Sequence, residues 1–268
     1  MAYGEVTTIN GVHISFHPAG HVLGSAQIKL QNDKETWVIS GDYKLEADGV
    51  SAPFEPVVCD HFVTESTFGL PIFQWADPQS IFDEMMQWWQ TNAAEGRPSI
   101  IAAYSLGKAQ RVLKNLLPGP GPIITHNTVE KINEVTRAAG IALPQTHSID
   151  TVSSEDIQKS LIVCPPMAVD SKWSSPAKKA RVAVASGWMA LRGTRRRRNI
   201  SKGFVLSDHA DWKGLNTAVK QTQAEHIYVT HGYTHIYTRY LNEQGYQAAV
   251  VETEYEGESL EPQEKSAV

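Results

Sequence analysis

Apolar residues alternate with polar ones through the opening third of the chain and recur at helical spacing after Pro71, so two textures of secondary structure follow one another. Val6 to Ile9 and Val12 to Phe16 flank Asn10-Gly11, a pair that tolerates the positive φ of a type I′ turn, and predict a β-hairpin. Ile28 to Leu30 and Trp37 to Ser40 predict a second pair turning at Asn32-Asp33, and Val57-Val58 with His61 to Thr64 a further extended segment that breaks at Glu65-Ser66-Thr67. Beyond Pro71, the run from Pro78 to Ala94 places Ile81, Phe82, Met85, Met86, Trp88 and Trp89 on one broad helical stripe. Ser99 to Tyr104, Ile123-Ile124 and Leu161 to Cys164 read as short buried strands, with helices over Leu106 to Leu117 and Val129 to Ala139. Such alternation predicts a parallel sheet. Arg181 to Ala185, Phe204 to Leu206 and His226 to Val229 predict later strands, with helices over Trp212 to Gln223 and His235 to Gln244.

The fold class is therefore α/β, and the change of texture sets 72–180 apart as a separate α/β unit between 1–71 and 181–254, with 255–268 a glutamate-rich tail without apolar periodicity. With 41% hydrophobic and 20% charged residues over 268 positions, the composition suits packed cores and excludes a disordered chain. No stretch approaches the roughly 20 apolar residues of a spanning helix, and the N-terminus lacks the pattern of a signal peptide, so a cytoplasmic protein without membrane contact is expected. Cys59 and Cys164 are too few for a disulfide framework or a four-thiolate zinc site and are read as core residues of a reducing compartment.

Charge changes the picture locally. The net charge of -5 resides in the tail after Val251, leaving the rest neutral, and within that neutral part Arg192, Arg195, Arg196, Arg197, Arg198 and Lys202 form a cationic run with no acid between them. Such a density suits phosphate contact, although a solvated charge run is the plainer alternative.

Candidate chemistry gathers where strands end. Asp42 follows WVIS-G, Glu65 follows FVT, His209 follows FVLS-D and His231 follows IYVT, while HPAGHVLGS adds His21. Strand-end loops on a rigid scaffold are where sites are built. His17 and His21 have the spacing of two metal ligands on a helix, but Pro18 and Gly20 argue against a helix there. His13, His17, His61, His126, His147 and His226 are read as surface or hydrogen-bonded core residues.

Taken in order, HPAGHVLGSAQI, SGDYK, TESTFG, AYSLGKAQ, ASGWM, LSDHADW and VTHGYT resemble the signature of the β-CASP branch of metallo-β-lactamase-fold nucleases over nearly the whole chain. The motifs are most similar to those of the bacterial ligase-associated DNA exonucleases, also known as mRNA 3′-end processing factors. The resemblance implies a metallo-β-lactamase αββα sandwich, N-terminally incomplete, with 72–180 as an inserted α/β β-CASP domain and 181–254 as the return to the first lobe. It makes His21 a zinc ligand, Asp42 the carboxylate bridging two divalent ions, His231 a further ligand, Glu65 the acidic residue of motif A and His209 the histidine of motif B. Two such ions stabilise charge on phosphoryl oxygens and orient an in-line attack, with zinc favoured over manganese for these donors. His209 would protonate the departing sugar oxygen while Glu65 orients its ring. Ser105, Gly107 and Lys108, opposite Ser186, Gly187 and Trp188 and extended by Arg192, Arg195 and Arg196, would line a nucleic-acid groove, with Trp188 stacking on a base or packing the lobe interface.

The family's His-x-His-x-Asp-His motif does not occur in the sequence, leaving His21, Asp42 and His231 to serve two metals. The expectation drawn from this is that Met1 is an internal start, with a truncated binding protein as the alternative, and that activity of the 268-residue chain is impaired. The expected function is a metal-dependent DNA exonuclease acting in repair or processing, on single-stranded DNA rather than RNA, with an ATP-dependent DNA ligase and a helicase as partners implied by the resemblance. The alternatives are an RNA-processing β-CASP ribonuclease and a non-catalytic nucleic-acid-binding subunit, with a small-molecule hydrolase of the same fold more distant.

Overall fold

The computed structural model describes residues 1–116, 118–191, 193 and 201–251. The chain divides into two compact units, the first built from residues 1–47, 51–74 and 209 onward, the second from 48–50 and 75–208, so that the second is embedded in the sequence of the first.

The first unit is organised by a seven-stranded mixed sheet in the order β1-β2-β3-β4-β5-β11-β12. Strands β1 (Val6–Ile9) and β2 (Val12–Pro18) form the hairpin that Asn10-Gly11 announces, with φ of 51° and 81° at the two turn residues. Strands β3 (Ala26–Gln31) and β4 (Thr36–Ile39) are likewise antiparallel, and the Asn32 side chain accepts the N–H groups of Lys34 and Glu35 to close their turn. From β4 the sheet turns parallel through β5 (His61–Ser66), β11 (His226–Gly232) and β12 (Gln247–Val250). Period-two burial explains the core: Phe62, Ile227 and Val229 share a face with Val38 and pack against Leu215, Val219, Tyr237 and Leu241. Those last four come from α5 (Trp212–Thr222) and α6 (Thr234–Glu243), and α5 starts where the Asp211 carboxylate accepts the Gly214 N–H at 2.7 Å.

The second unit holds a five-stranded sheet, β10-β9-β6-β8-β7, in which every pairing is parallel. Its strands are β6 (Ser99–Ala102), β7 (Ile123–Thr125), β8 (Leu161–Cys164), β9 (Arg181–Ala185) and β10 (Lys202–Phe204). Every residue of β6, β7 and β8 is buried, as continuous apolar runs in a sheet covered on both faces require. One face packs Ile101 and Val163 on α1 (Pro78–Ala94), α2 (Lys108–Asn115) and Val129 of α3 (Asn127–Ala138); the other packs Ile100, Ile124 and Ile162 on Ile149 and on Ile157 of the short α4 (Ser154–Ile157). Asp77 caps α1 and Pro78 occupies its first turn, while fully buried Trp89 donates from its indole to the Lys159 carbonyl at 2.8 Å. Trp89→Ala would cost about 3–5 kcal/mol.

One boundary of the sequence reading is corrected. Residues 181–254 were expected to return to the first lobe, yet β9 and β10 hydrogen-bond into the second sheet, with Ser99 level with Arg181 and Ala102 with Val184, and the second unit runs to Asp208. Short apolar runs state that a strand forms without stating which sheet it joins. Strand β12 was not foreseen, and Val57-Val58 lies outside any strand. The acidic tail after residue 254 lies outside the described residues. Among the described residues, no helix is long and apolar enough to cross a membrane.

Candidate active site

Sheet direction brings the strand-end residues of the first unit to one edge. Strands β4, β5 and β11 are neighbours and parallel, so Asp42, just past β4, and Glu65 and His231, near the ends of β5 and β11, come to the same edge. Strand β2 runs in the same direction as β4, because β3 is antiparallel to both, and the β2–β3 loop with His21 therefore opens at that edge too.

Local chemistry shapes each arm. In the His21 loop, Gly20 has φ of +76°, and a Cβ there would lie 2.1 Å from the Lys44 carbonyl oxygen, so only glycine fits. The fully buried Lys44 ammonium and the Ser51 hydroxyl both donate to the Gly20 carbonyl at 2.8 Å, tying this loop to the chain that follows Asp42. At the end of β11 the ladder slips by one residue between Thr230 and Gly232; His231 adopts φ of 57°, and its carbonyl accepts the Ser66 hydroxyl. A bulge of this kind re-aims a side chain at the cost of backbone strain.

Glu65 is buried at the end of β5, where Oε1 accepts the Tyr43 N–H at 2.8 Å and the His209 Nδ1 lies 2.9 Å from Oε2 and 3.1 Å from Oε1. Burial opposes ionisation of this carboxyl, but the His209 charge and hydrogen bond, with those of Thr67 and the Tyr43 N–H, outweigh it and hold the group below the usual carboxylate range. A carboxylate only accepts, so Nδ1 carries the proton and Nε2 is the ring nitrogen that Glu65 does not engage. Phe68 stands edge-on to the imidazole with ring centres 6.0 Å apart, and the Ala210 N–H donates to the Tyr43 carbonyl at 2.7 Å, fixing the chain on either side. Thr67, Tyr43 and Phe68 were not singled out from sequence; the pattern TEST-F marks the strand end but not which neighbours close on it.

His21, Asp42 and His209 each offer a ligand atom, and these atoms lie within 4.8 Å of one another. His21 Nε2 is 3.9 Å from the Asp42 carboxylate, and the His21 and His209 rings are 4.6 Å apart between centres. Two imidazoles and a carboxylate are a donor set suited to zinc or another divalent ion, and with His209 held by Glu65 it is the His21 and Asp42 side chains that could turn toward one. Two ions would need donors beyond these three. His231 is not in this group; its Nδ1 is 2.8 Å from the Thr230 hydroxyl.

Of the groove residues read from sequence, Ser105, Gly107 and Lys108 follow β6 and Ser186, Gly187 and Trp188 follow β9, all in the second unit. Lys108 is buried, with its ammonium 3.2 Å from the Asp208 carboxylate, and so serves an internal ion pair together with Arg111, which also donates to the Ser207 carbonyl. The Gly107 N–H donates to the Gln110 side chain at 2.9 Å, and the Ser105 hydroxyl pairs with Thr128 at 2.9 Å. Ser186 accepts the Trp188 N–H in a tight turn over Gly187, and Trp188 is half-buried beside Ala102, Val184 and Met189. Arg192, Arg195 and Arg196 lie outside the described residues. His17 bonds Glu55 and Ser15, and His61 pairs with Glu35, matching their plainer readings. Both cysteines are buried thiols, pushed up to about 12 by burial, which for Cys59 the Asp60 charge reinforces.

No family model matches the chain. A curated relative named "Probable DNA ligase" from Opitutus terrae is 27% identical over 236 residues, 88% of this chain and 23% of that protein. "Endoribonuclease YSH1" from Kluyveromyces lactis is 28% identical over 113 residues, 41% of this chain and 14% of that protein. The chain thus spans less than a quarter of the length of either relative. In structure it is similar to a protein of unknown function from Enterococcus faecalis, with a TM-score of 0.61 at 10% identity over 95% of this chain and 65% of the other, a likeness of fold alone. Through these sequence relatives, and in the motifs that place His21, Asp42, Glu65 and His209 together, the chain is related to the β-CASP nucleases of the metallo-β-lactamase fold.

Proposed function

We propose that this chain carries part of a metal-dependent nuclease that hydrolyses phosphodiester bonds in DNA. The observation that carries the reading is the His21–Asp42–His209 group beside the Glu65–His209 pair. A metallo-β-lactamase sandwich interrupted by a β-CASP insertion is the architecture proposed with it, supported by the second unit lying within the sequence of the first.

A divalent ion at this site would supply positive charge for the phosphoryl oxygens and acidity to a water molecule. His21 and Asp42 would hold it, with His231 on the neighbouring strand end as a further donor and a second ion where more donors are supplied. Zinc is preferred to manganese for the imidazoles. As the imidazolium, protonated on both nitrogens, His209 would deliver its Nε2 proton to the departing sugar oxygen and return to the neutral Nδ1–H form, a role worth about 10² to 10⁴ in rate. Glu65 holds the ring by Nδ1 in the orientation that this transfer needs. Three donors serve one ion but not two, so the second ion's share of charge stabilisation is missing and hydrolysis by the 268-residue chain is expected to be slow.

DNA is preferred to RNA because a protein named as a probable DNA ligase matches over 88% of this chain. An ATP-dependent ligase and a helicase are the proposed partners, in the cytoplasm, where buried reduced thiols persist. The relative named as an endoribonuclease favours RNA as the second reading. End-labelled DNA and RNA single strands of one sequence, incubated with zinc or manganese, separate the two. The proposal expects DNA to be cut faster, with loss of cutting in chelator and in Asp42→Asn. Faster RNA cutting would select the second reading, and cutting that survives both treatments would contradict a metal at Asp42.

A further inference from the structure

The carboxyl edge of the parallel sheet in the second unit carries large apolar side chains into solvent. Tyr104 and Leu106, after β6, are each 47% exposed, and Met167, after β8, is 92% exposed. They follow adjacent strands. Strand β6 lies between β8 and β9, with Ala102 level with Cys164 on one side and Val184 on the other. The chain leaves all three strands at this edge, and with strands about 4.8 Å apart the loops that carry Tyr104, Met167 and Ser186 start side by side. Trp188, in the loop after β9, continues the row as a half-buried ring. Contiguous exposed apolar groups, unlike single ones, mark binding surfaces.

The topology puts the patch where open parallel sheets take ligands. From β6 the chain passes to β7 and β8 on one side and to β9 and β10 on the other, and ligands bind outside the carboxyl ends of strands at such a switch point. The chemistry of the edge selects a flat, apolar ligand over an anion. Lys108 sits 4.7 Å from the centre of the Tyr104 ring and is buried against Asp208, so its charge backs the aromatic ring and is not presented to solvent. Met167 is an adaptable apolar contact of the kind that accommodates differing partners.

We infer that this edge is a stacking platform for unpaired nucleobases, with Tyr104 the principal contact and Leu106 and Met167 beside it. The inference rests on the nucleic-acid reading above and deepens it: the second unit grips the strand through base faces at β6 and β8, independently of the arginine run. Base–aromatic stacking tolerates any sequence, as a nuclease without sequence preference requires.

The full chain, in chelator so that no strand is cut, is titrated with a labelled oligodeoxythymidine and with an abasic strand of the same length and charge. Tyr104→Ala is expected to weaken the base-bearing strand about 5- to 100-fold, while Tyr104→Phe keeps its affinity. The abasic strand should bind more weakly and be indifferent to Tyr104→Ala. The slope of log affinity against log salt should stay unchanged in Tyr104→Ala, since no phosphate contact is removed. Equal binding of the base-bearing strand by wild type and Tyr104→Ala would overturn the assignment and leave the patch to a protein partner. So would an equal loss of both strands in Tyr104→Ala. Failure of wild type to bind either strand would instead overturn the nucleic-acid reading on which the inference stands.

Discussion

Glu65 and His209 stand 144 residues apart in the chain, yet both carboxylate oxygens of Glu65 reach the same imidazole nitrogen, at 2.9 and 3.1 Å. The pair is buried, and the Tyr43 N–H donates to the same carboxylate, so the ring cannot turn without breaking bonds that no water replaces. A fixed imidazole beside two metal-competent side chains is the arrangement that proton delivery near an ion requires.

Glu65→Gln keeps the shape of the pair and removes its charge. Hydrolysis should slow on the order of 10²-fold or more while strand affinity holds. An unchanged rate in single-turnover cleavage would make the pair structural rather than catalytic.

His209→Ala should reduce the rate by about 10² to 10⁴ and leave more bound metal than His21→Ala does. Rate and metal content measured on the same preparations check this. Metal loss equal to that of His21→Ala would show that His209 is itself a ligand.

How the site was legible in the sequence follows from what local pattern can carry. Strand ends were visible because apolar runs stop abruptly at Gly41, Glu65 and His231, and the hairpin at Asn10-Gly11 and the helix from Pro78 to Ala94 carry their own start and stop chemistry. Which strands pair is decided by partners far along the chain. That is why β9 and β10 fell to the wrong unit, and why the ion pair of buried Lys108 with Asp208, far along the chain, is not written in AYSLGKAQ. The burial of Glu65 and the closeness of His21 to His209 are likewise properties of the folded edge, and no spacing in the chain encodes them.

Gly20→Ala should destabilise the chain by about 2–4 kcal/mol, since it meets both a positive φ and the Lys44 carbonyl oxygen. Denaturant unfolding measures the loss. A change under about 0.5 kcal/mol, the usual range of surface substitutions, would mean that the loop relocates freely.

Lys108→Ala should lower stability by about 3 kcal/mol, because it strips a buried partner from Asp208. The salt dependence of strand binding should not change. A flatter salt slope with unchanged stability would restore Lys108 as a phosphate contact.

Acid stability carries a signature in the second unit. Glu130 accepts hydrogen bonds from Arg137, Thr146, Asn133 and Thr125, and although partial burial opposes ionisation these bonds hold its carboxyl down at about 2. A depressed folded value means that its stabilisation is present above the unfolded value near 4.3 and is lost as pH falls from there toward about 2. The pair with Arg137 is partly solvated, so the contribution is on the order of 1 kcal/mol. Glu130→Gln should flatten the loss of stability across this window in denaturation series at graded pH, and a curve parallel to wild type would contradict the assignment.

In the proposed reading His21 and Asp42, with His231, hold one divalent ion beside the Glu65–His209 pair. Zinc retained after dialysis is measured by elemental analysis on wild type, His21→Ala and Asp42→Asn, with folding checked by circular dichroism. About one equivalent is expected in wild type, since these three donors suit a single ion, and its loss in both variants. Equal zinc in all three proteins, or none in wild type, would contradict it.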